Sequence, residues 1–295
     1  MEEITLKAAD GLELSCLYIS ANQPKACIQI VHGMVEHKER YIPFMEILAE
    51  NGYSVIISDN RGHGKSINTE YSLGHIGDYR QMIADQYEVT KKIKALNPGL
   101  KLYMFAHSMG SLIARNYLME HDDEITKLIL CGTVCYNTGV GLGIFLSKLH
   151  CIGKGKYRHS RLLYAFSNDM SFKNDVSWIS YNQKNIRAYT SDPLCSFRFD
   201  NYGNLNLFTM DKNLHKYKKY ACKNKELKIL SISGADDRTT GGTKGLEKTM
   251  KALNKIGYLH TEFKEYPQMK HEILNEENNN TVSYTHLTLP TNSLV

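Results

Sequence analysis

The sequence contains no apolar run that approaches the length needed to span a bilayer. Its first residues, Met1-Glu2-Glu3, are acidic and are not followed by an apolar leader, which argues against secretion. The cysteines are scattered, with neither the spacing of a redox pair nor that of a zinc site. No nucleic-acid-binding motif and no internal repeat is visible. We therefore expect a cytoplasmic chain with reduced thiols that binds no nucleic acid.

The composition is that of a folded chain. Hydrophobic residues make up 42% of 295 residues, which is enough to bury a large core and excludes general disorder. The net charge is +5, and part of the excess lies in two basic clusters, within 148–161 and 212–225. Such clusters are most often solvated surface. The functional alternative is attraction to anionic lipid head groups or to acidic substrates.

Strand-like and helix-like segments alternate along most of the chain. Apolar, β-branched runs occur at 4–6, 12–19, 27–31, 55–58, 102–105, 128–131, 230–233 and 263–266. Several central runs are continuously apolar, as expected for strands buried on both faces. Helical patterns cover about 41–51 and 78–96, and others start near 109 and 242. This order predicts an α/β fold with a mostly parallel sheet and an antiparallel edge formed by the first two strands.

The alternation stops between about 136 and 224, where the sequence is polar, aromatic and helical in places. We interpret this stretch as a cap inserted after the sixth strand, over the sheet edge where ligands bind. The predicted core is therefore 1–135 and 225–281, with the cap at 136–224. One set of apolar cap residues could either line the underside of a lid or pack the cap onto the core: Leu142, Ile144, Phe145, Leu146, Leu149 and Ile152.

The final segment, 282–295, reads like the translation of a sequencing adapter. We expect it to be non-native and exclude it from fold reasoning, the alternative being a native threonine-rich tail. Any helix that should follow position 271 would then be incomplete.

The most informative motif is Ala106-His107-Ser108-Met109-Gly110. It follows an apolar run and precedes a helical pattern, and a serine on a tight strand-to-helix turn is the nucleophile elbow of α/β-hydrolases. The usual form is G-x-S-x-G, so Ala106 departs from it by one methyl group. A small-x-Ser-x-Gly pattern also occurs by chance, so the rest of the chain must decide whether Ser108 is catalytic.

A serine nucleophile needs a base and an acid that orients the base, and in this fold they follow in the order Ser, Asp or Glu, His. Asp236-Asp237 follows the strand-like run near 230, and His271 follows the last one. These candidates lie just past predicted strand ends, although the aspartates could be turn residues and His271 a loop residue. His260 is a weaker candidate base because it precedes the last strand.

The reaction also needs backbone donors for the oxyanion of the tetrahedral intermediate. We expect one from the N–H of Met109, directly after the nucleophile, and one from Met34 in the loop His32-Gly33-Met34. No metal or cofactor is required by this chemistry.

Five segments together resemble the monoacylglycerol lipases and bacterial lysophospholipases, a group also described as serine aminopeptidase-like hydrolases. The resemblance covers about residues 3–280 and is carried by HGMVEHKERY at 32–41, DNRGHGKS at 59–66, AHSMG at 106–110, GADDR at 234–238 and HEILNE at 271–276. It selects Asp237 over Asp236 and supports His271. Val35, beside the oxyanion loop, departs from the usual glycine. Arg61 and His63 are expected to be loop residues paired with nearby carboxylates.

The resemblance implies a serine hydrolase that cleaves carboxylic esters of monoacylglycerols or lysophospholipids through Ser108, His271 and Asp237, with possible peripheral contact with a lipid surface. One alternative is a peptidase that removes N-terminal residues, which would need an acidic group such as Glu36 or a cap carboxylate to bind the free amine. A second alternative is a non-catalytic ligand-binding protein on the same scaffold. The sequence does not fix acyl chain length or head group.

Overall fold

The computed structural model describes residues 1–167 and 175–277. The predicted adapter-like tail and the segment 168–174 of the predicted cap lie outside the described residues. The strands are β1 (Glu2–Lys7), β2 (Glu13–Ile19), β3 (Ala26–Val31), β4 (Tyr53–Ser58), β5 (Leu102–His107), β6 (Lys127–Cys131), β7 (Lys228–Gly234) and β8 (Thr261–Tyr266).

The eight strands form one sheet in the order β1-β2-β4-β3-β5-β6-β7-β8. β2 pairs antiparallel with β1 and with β4, whereas the pairs from β4–β3 through β7–β8 are all parallel. Every residue of β3 and β4 is buried, because helices cover both faces of the sheet centre. Half-exposed β1 lies at the edge. The predicted α/β class and the antiparallel edge are confirmed.

The helices are α1 (Ile42–Glu50), α2 (Tyr79–Leu96), α3 (Met109–His121), α4 (Val140–His150), α5 (Arg161–Ser167), α6 (Gln183–Ser191), α7 (Asn201–Asn213) and α8 (Gly242–Ile256). Local sequence explains several ends. Asp78 and Gln81 form a reciprocal capping box at the start of α2, and Asn97-Pro98 follows its end. α2 and α3 pack in the larger core on one face of the sheet, and α1 packs in the second core on the other.

Helices α4 to α7 lie between β6 and β7, at the position predicted for the cap. Val140, Leu163 and Phe208 form a small core of their own there. α7 also contacts α2 and α3, which joins this helical segment to the sheet domain. The chain turns from strand to loop at the carboxyl ends of β3, β5, β7 and β8, so these loops meet at one sheet edge.

Across residues 1–167 and 175–277, no helix combines the length and the apolar character required to traverse a membrane.

Candidate active site

Ser108 lies at the turn between β5 and α3 in a strained backbone conformation. Its φ is 52° and its ψ is −119°, a region that residues with a side chain rarely adopt. Close packing explains the small residue that follows, because a Cβ on Gly110 would lie 2.2 Å from the carbonyl oxygen of Val31. Ser108 is partly exposed although the residues on both sides are buried. The turn therefore presents the hydroxyl to a cavity.

His271 and Asp237 are hydrogen-bonded, with 2.9 Å between His271 Nδ1 and Asp237 Oδ2. Both side chains are buried. The other oxygen of Asp237 accepts hydrogen bonds from the backbone N–H and the hydroxyl of Thr239. Burial alone would raise the pKa of Asp237, but the charge of His271 and these hydrogen bonds lower it below its usual value. Asp236, in contrast, is exposed and accepts a hydrogen bond from Tyr181.

The His271 ring lies between the elbow and the cap. It packs 4.8 Å from the ring of His107 and 4.9 Å from the ring of Trp178, measured between centroids. Trp178 lines the same cavity as Ser108. Among the described residues, Ser108 makes no hydrogen bond to His271, and such contacts often tighten only when substrate binds. His260 lies before β8, 3.5 Å from Glu226, and takes no part in this arrangement.

The loop after β3 comes close to Ser108 at its glycine. A Cβ on Gly33 would lie 3.1 Å from the Cβ of Ser108. Met34 and Met109 line the cavity together with Ser108. The N–H of Met109 starts α3 and therefore has no acceptor within the helix. The two methionines predicted as oxyanion donors thus border the space into which Ser108 faces.

Val35, which follows Met34, is also strained, with a φ of 52°. This is a left-handed conformation that suits the glycine usual at this position and is unfavourable for a β-branched residue. Two hydrogen bonds hold it: its N–H donates to His63 Nε2 at 3.2 Å, and its carbonyl accepts from the N–H of Ser196 at 3.0 Å. His63 therefore supports the oxyanion loop. Arg61 pairs with Asp85 and Asp10, as expected of a structural loop residue.

Glu36 is buried and fully engaged. Its Oε1 accepts the N–H of Gly33 at 2.6 Å and the hydroxyl of Tyr41 at 2.9 Å, and it lies 3.1 Å from His107 Nδ1. Burial alone would raise the pKa of Glu36, but His107 and Arg40 lower it well below its usual range. Since Glu36 is tied to the protein, it is not free to bind a substrate amine.

Arg40 joins this carboxylate to a second one. Its Nη1 bonds Glu36 at 2.7 Å and Glu272 at 2.8 Å, while its Nη2 bonds Glu272 at 2.7 Å and Asn185 of α6 at 3.1 Å. Burial would raise the pKa of Glu272, but Arg40 lowers it. We call Glu36, Arg40, His107 and Glu272 the carboxylate network. It links the oxyanion loop, the elbow, the His271 loop and the cap.

The cavity at Ser108 has a volume of about 580 Å³, within the range usual for small-molecule sites. Eight of the described residues that line it are apolar: Met34, Met109, Leu112, Val134, Phe166, Trp178, Leu207 and Phe208. Asp211 supplies a carboxylate whose Oδ1 has no hydrogen-bond partner among the described residues. Burial raises the pKa of Asp211 to about 6. The cavity thus combines an apolar chamber with one buried acid.

The six apolar cap residues singled out in the sequence do not line this cavity. Ile144 and Leu146 pack against the small cap core. The other four are between 49% and 74% exposed: Leu142, Phe145, Leu149 and Ile152. These four residues neither line the cavity nor pack the cap onto the core, the two roles predicted from the sequence; they form an exposed apolar surface.

One cluster has the composition of a metal site. The ligand atoms of His37, Asp192 and Cys195 lie within 4.8 Å of one another. Burial would lower the pKa of His37, but its hydrogen bonds to Cys195, Glu39 and Asp192 raise it to about 10. His37 lies 2.7 Å from Glu39 and 2.8 Å from Asp192, so we interpret these contacts as ion pairs that join the oxyanion loop to the cap.

Three groups at the site carried no catalytic signal in the sequence. Trp178 packs on His271, Thr239 bonds Asp237 and lies 3.2 Å from His271 Nδ1, and Asp211 enters the cavity from α7. Thr239 could have been noticed because it follows Asp237 by two residues. Trp178 and Asp211 are distant in sequence from every motif.

Known proteins resemble this chain in sequence and in structure. The family model described as "Serine aminopeptidase, S33" matches residues 22–278. The probable lysophospholipase L2 of Haemophilus influenzae is 26% identical over 180 residues, which are 55% of this chain and 56% of that protein. The monoglyceride lipase of Rattus norvegicus is 25% identical over 283 residues, which are 92% of this chain and 87% of that protein.

Solved structures show the same fold. A thermostable carboxyl esterase from Bacillus coagulans superposes with a TM-score of 0.84 at 24% identity, covering 97% of this chain and 96% of that one. A soluble variant of monoglyceride lipase from Saccharomyces cerevisiae, solved with a substrate analogue, gives 0.75 at 20% identity over 96% of this chain and 92% of that one. At these identities the likeness establishes the α/β-hydrolase fold alone.

Proposed function

The chain belongs to the serine aminopeptidase S33 family of α/β-hydrolases, and from that premise we propose that it hydrolyses carboxylic esters, with monoacylglycerols or lysophospholipids as substrates. The observation that carries the proposal is the buried pair of His271 and Asp237 beside an apolar cavity into which Ser108 faces. Relatives described as monoglyceride lipase and lysophospholipase L2 support the choice of lipid esters.

In the proposed reaction, the Ser108 hydroxyl attacks the ester carbonyl carbon while His271 Nε2 accepts its proton. Asp237 holds the Nδ1 tautomer through its 2.9 Å hydrogen bond and stabilises the imidazolium. The backbone N–H groups of Met34 and Met109 hold the oxyanion. The intermediate collapses as His271 returns the proton to the alcohol, which leaves. Water, deprotonated by His271, then releases the fatty acid from Ser108.

The lining of the cavity suits an ester with a long apolar arm. Leu112, Leu207 and Phe208 offer the acyl chain contacts that replace water, worth about 0.8 kcal/mol for each CH₂ buried. Asp211 lies in the same cavity and is an acceptor for hydroxyl groups of a polyol leaving group.

Labelling with a fluorophosphonate probe tests the nucleophile. We expect wild-type protein and the control Ser72→Ala, an exposed serine, to be labelled, and Ser108→Ala to be unlabelled. Hydrolysis of oleoylglycerol should fall in parallel with labelling. Absence of labelling in folded wild-type protein would instead favour the non-catalytic scaffold. Labelling that persisted in Ser108→Ala would exclude Ser108 as the nucleophile.

One observation favours the peptidase alternative: Asp211 is a buried carboxylate that faces the cavity and could bind a free α-amine. Turnover of a p-nitrophenyl acyl ester against an aminoacyl anilide separates the two functions. The ester proposal expects the ester to be preferred by both wild-type protein and Asp211→Asn. A preference for the anilide that is lost in Asp211→Asn would establish the peptidase.

Contact with an anionic lipid surface is part of the proposal. The four exposed apolar residues of 142–152 lie beside exposed cations at Lys148, Arg158 and Arg161. Apolar side chains that enter the acyl region, flanked by cations at the head groups, are the usual form of an interfacial segment.

Flotation with phosphatidylglycerol vesicles tests this contact. Phe145→Ser combined with Ile152→Ser should reduce binding, whereas Leu259→Ser, which changes an equally exposed residue away from the cap, should not. Equal binding by all three proteins would exclude the proposed surface. Equal binding of wild-type protein to phosphatidylcholine and phosphatidylglycerol vesicles would exclude the role of the cations.

A further inference from the structure

A second cavity of about 590 Å³ lies next to the one that contains Ser108. Cys135, Tyr136 and Thr138 line both cavities, so one short segment after β6 separates them. We call the second cavity the basic groove. Its basic lining residues are Arg115, His215, Lys244, Lys248, Lys251 and Lys255.

The charge of the groove is of one sign. The lining contains no aspartate or glutamate from residues 1–167 and 175–277. The four lysines follow one another along one face of α8, where positions 244, 248, 251 and 255 recur at intervals of three and four. Burial lowers the pKa of His215, and the charges of Lys255, Lys212 and Arg115 lower it further. A lowered pKa is the response expected of a histidine in a positive potential.

Arg115 distinguishes this groove from an ordinary lysine surface. It is only 3% exposed, and its Nε and Nη2 bond the Ser111 carbonyl, the Ser111 hydroxyl and the Val134 carbonyl. Its Nη1 has no hydrogen-bond partner among the described residues. Burial lowers the pKa of Arg115 and the charge of Asp211 raises it, but the two form no ion pair within the described chain. Arg115 therefore contributes a positive charge that no carboxylate of the described residues contacts directly.

The wall between the two cavities is aromatic. The ring of Tyr136 stacks on His215 with 3.7 Å between centroids, and His215 lies 5.6 Å from the ring of Tyr217. This wall is narrow, because Tyr136 itself lines both cavities. The groove therefore borders the cavity that contains Ser108, with the 135–138 segment between them.

We propose that the basic groove binds the phosphate of an anionic lysophospholipid, with Arg115 at its floor and the α8 lysines at its rim. The inference rests on the proposed ester hydrolysis and chooses between its two substrate classes. A phosphodiester is an anion with several acceptor oxygens, which is what an arginine and several lysines bind. A monoacylglycerol has no group that would engage these cations.

Steady-state hydrolysis of oleoyl lysophosphatidylglycerol and of oleoylglycerol in neutral mixed micelles tests the groove. The measured quantity is the ratio of kcat/KM for the two substrates. In Lys248→Gln combined with Lys251→Gln, we expect the ratio to fall about tenfold, since exposed ion pairs are each worth up to about 1 kcal/mol. The fall should shrink at high salt. The control Lys101→Gln with Lys228→Gln removes the same charge at the opposite sheet edge and should leave the ratio within about twofold.

A soluble probe separates this inference from the proposed function. Binding of glycerol 3-phosphate is measured by calorimetry on Ser108→Ala protein, which needs no catalysis. Binding that is lost with the α8 double variant and kept with the control supports the groove even if no ester is hydrolysed. A substrate ratio that changes without any binding of glycerol 3-phosphate supports a groove that takes the phosphate only as part of a lipid. An unchanged ratio, an equal change in the control, or glycerol 3-phosphate binding unaffected by the α8 variant overturns the inference.

Discussion

Removing Arg40 should destabilise the protein strongly, because Arg40 is the cation between two buried carboxylates. The side chains of Glu36 and Glu272 are 4% and 6% exposed, and three of the four Arg40 hydrogen bonds run to them. Arg40→Met keeps the apolar stem and leaves the two carboxylates with one cation fewer. Breaking a buried ion pair from one side typically costs about 3–5 kcal/mol. For a chain of this size, that corresponds to a fall in Tm of about 5–8 °C.

The pH dependence gives a second measure of the same contact. Glu36 and Glu272 have folded-state pKa values lowered below their unfolded values. Their contribution to stability is therefore present above the unfolded pKa of about 4.3 and is lost as the pH falls toward the folded pKa values. In Arg40→Met, protonation of one carboxylate relieves the repulsion between them. The difference in unfolding free energy from wild type should therefore shrink as the pH is lowered from 7 toward about 4.

Urea unfolding followed by circular dichroism and by tryptophan fluorescence measures both effects. Trp178 is the single tryptophan and lies on the His271 ring, so coincident transitions would show that cap and core unfold together. Arg40→Lys keeps the positive charge but loses the bidentate geometry, so its unfolding free energy should lie between those of wild type and Arg40→Met. The control is Arg80→Met. The Arg80 side chain is 76% exposed and pairs with Asp78, so this variant should unfold like wild type. A loss below about 1 kcal/mol for Arg40→Met, or a loss equal to the control, would refute the reasoning.

Three further outcomes follow from the local geometry. Val35→Gly should change the unfolding free energy by less than about 1 kcal/mol, because relief of backbone strain offsets the lost burial. The control Val31→Gly in β3 should cost about 3 kcal/mol. Equal losses of unfolding free energy in urea would show that Val35 is unstrained. Gly110→Ala should lower the unfolding free energy by at least about 1–3 kcal/mol, because the added methyl group would clash with the Val31 carbonyl oxygen. The control Gly141→Ala meets no atom within 4 Å and should stabilise the protein slightly. A Gly110→Ala protein as stable as wild type would contradict this packing. Asp237→Asn should lower kcat for an ester about 10⁴-fold, and near-normal turnover would remove Asp237 from the proposed mechanism.

Much of the fold could be predicted from the sequence because its strands carry continuous apolar runs. β3 and β4 are buried at every position, which is why the runs at 27–31 and 55–58 identified them. The end of α2 could be predicted as well, since Asn97-Pro98-Gly99 cannot continue a helix. These signals are local, and each depends on neighbours in the chain. The domain boundaries at 136 and 224 stay a prediction, as does the nature of 282–295.

The apolar residues near 142–152 show that the sequence pattern alone does not predict which residues of the cap are buried. The sequence left two roles open for six of these residues, the underside of a lid or packing of the cap onto the core, but four of the six are solvent-exposed. Which side of a helix faces a partner depends on how the cap docks. That docking is decided by α7 against α2, α3 and α4, contacts between residues that are far apart in sequence.

By itself, the sequence determined the order of strands and helices, the α/β class and the candidates Ser108, Asp237 and His271, because strand ends in a parallel sheet bring distant motifs to one edge. Only the tertiary structure decided which groups lie beside them. Trp178 on His271, Asp211 in the cavity, Arg40 between Glu36 and Glu272, and the lysines of α8 beside Arg115 are all contacts across long sequence separations. Such contacts leave no periodic pattern along the chain, since they depend on packing between elements and not on the conformation of any one of them.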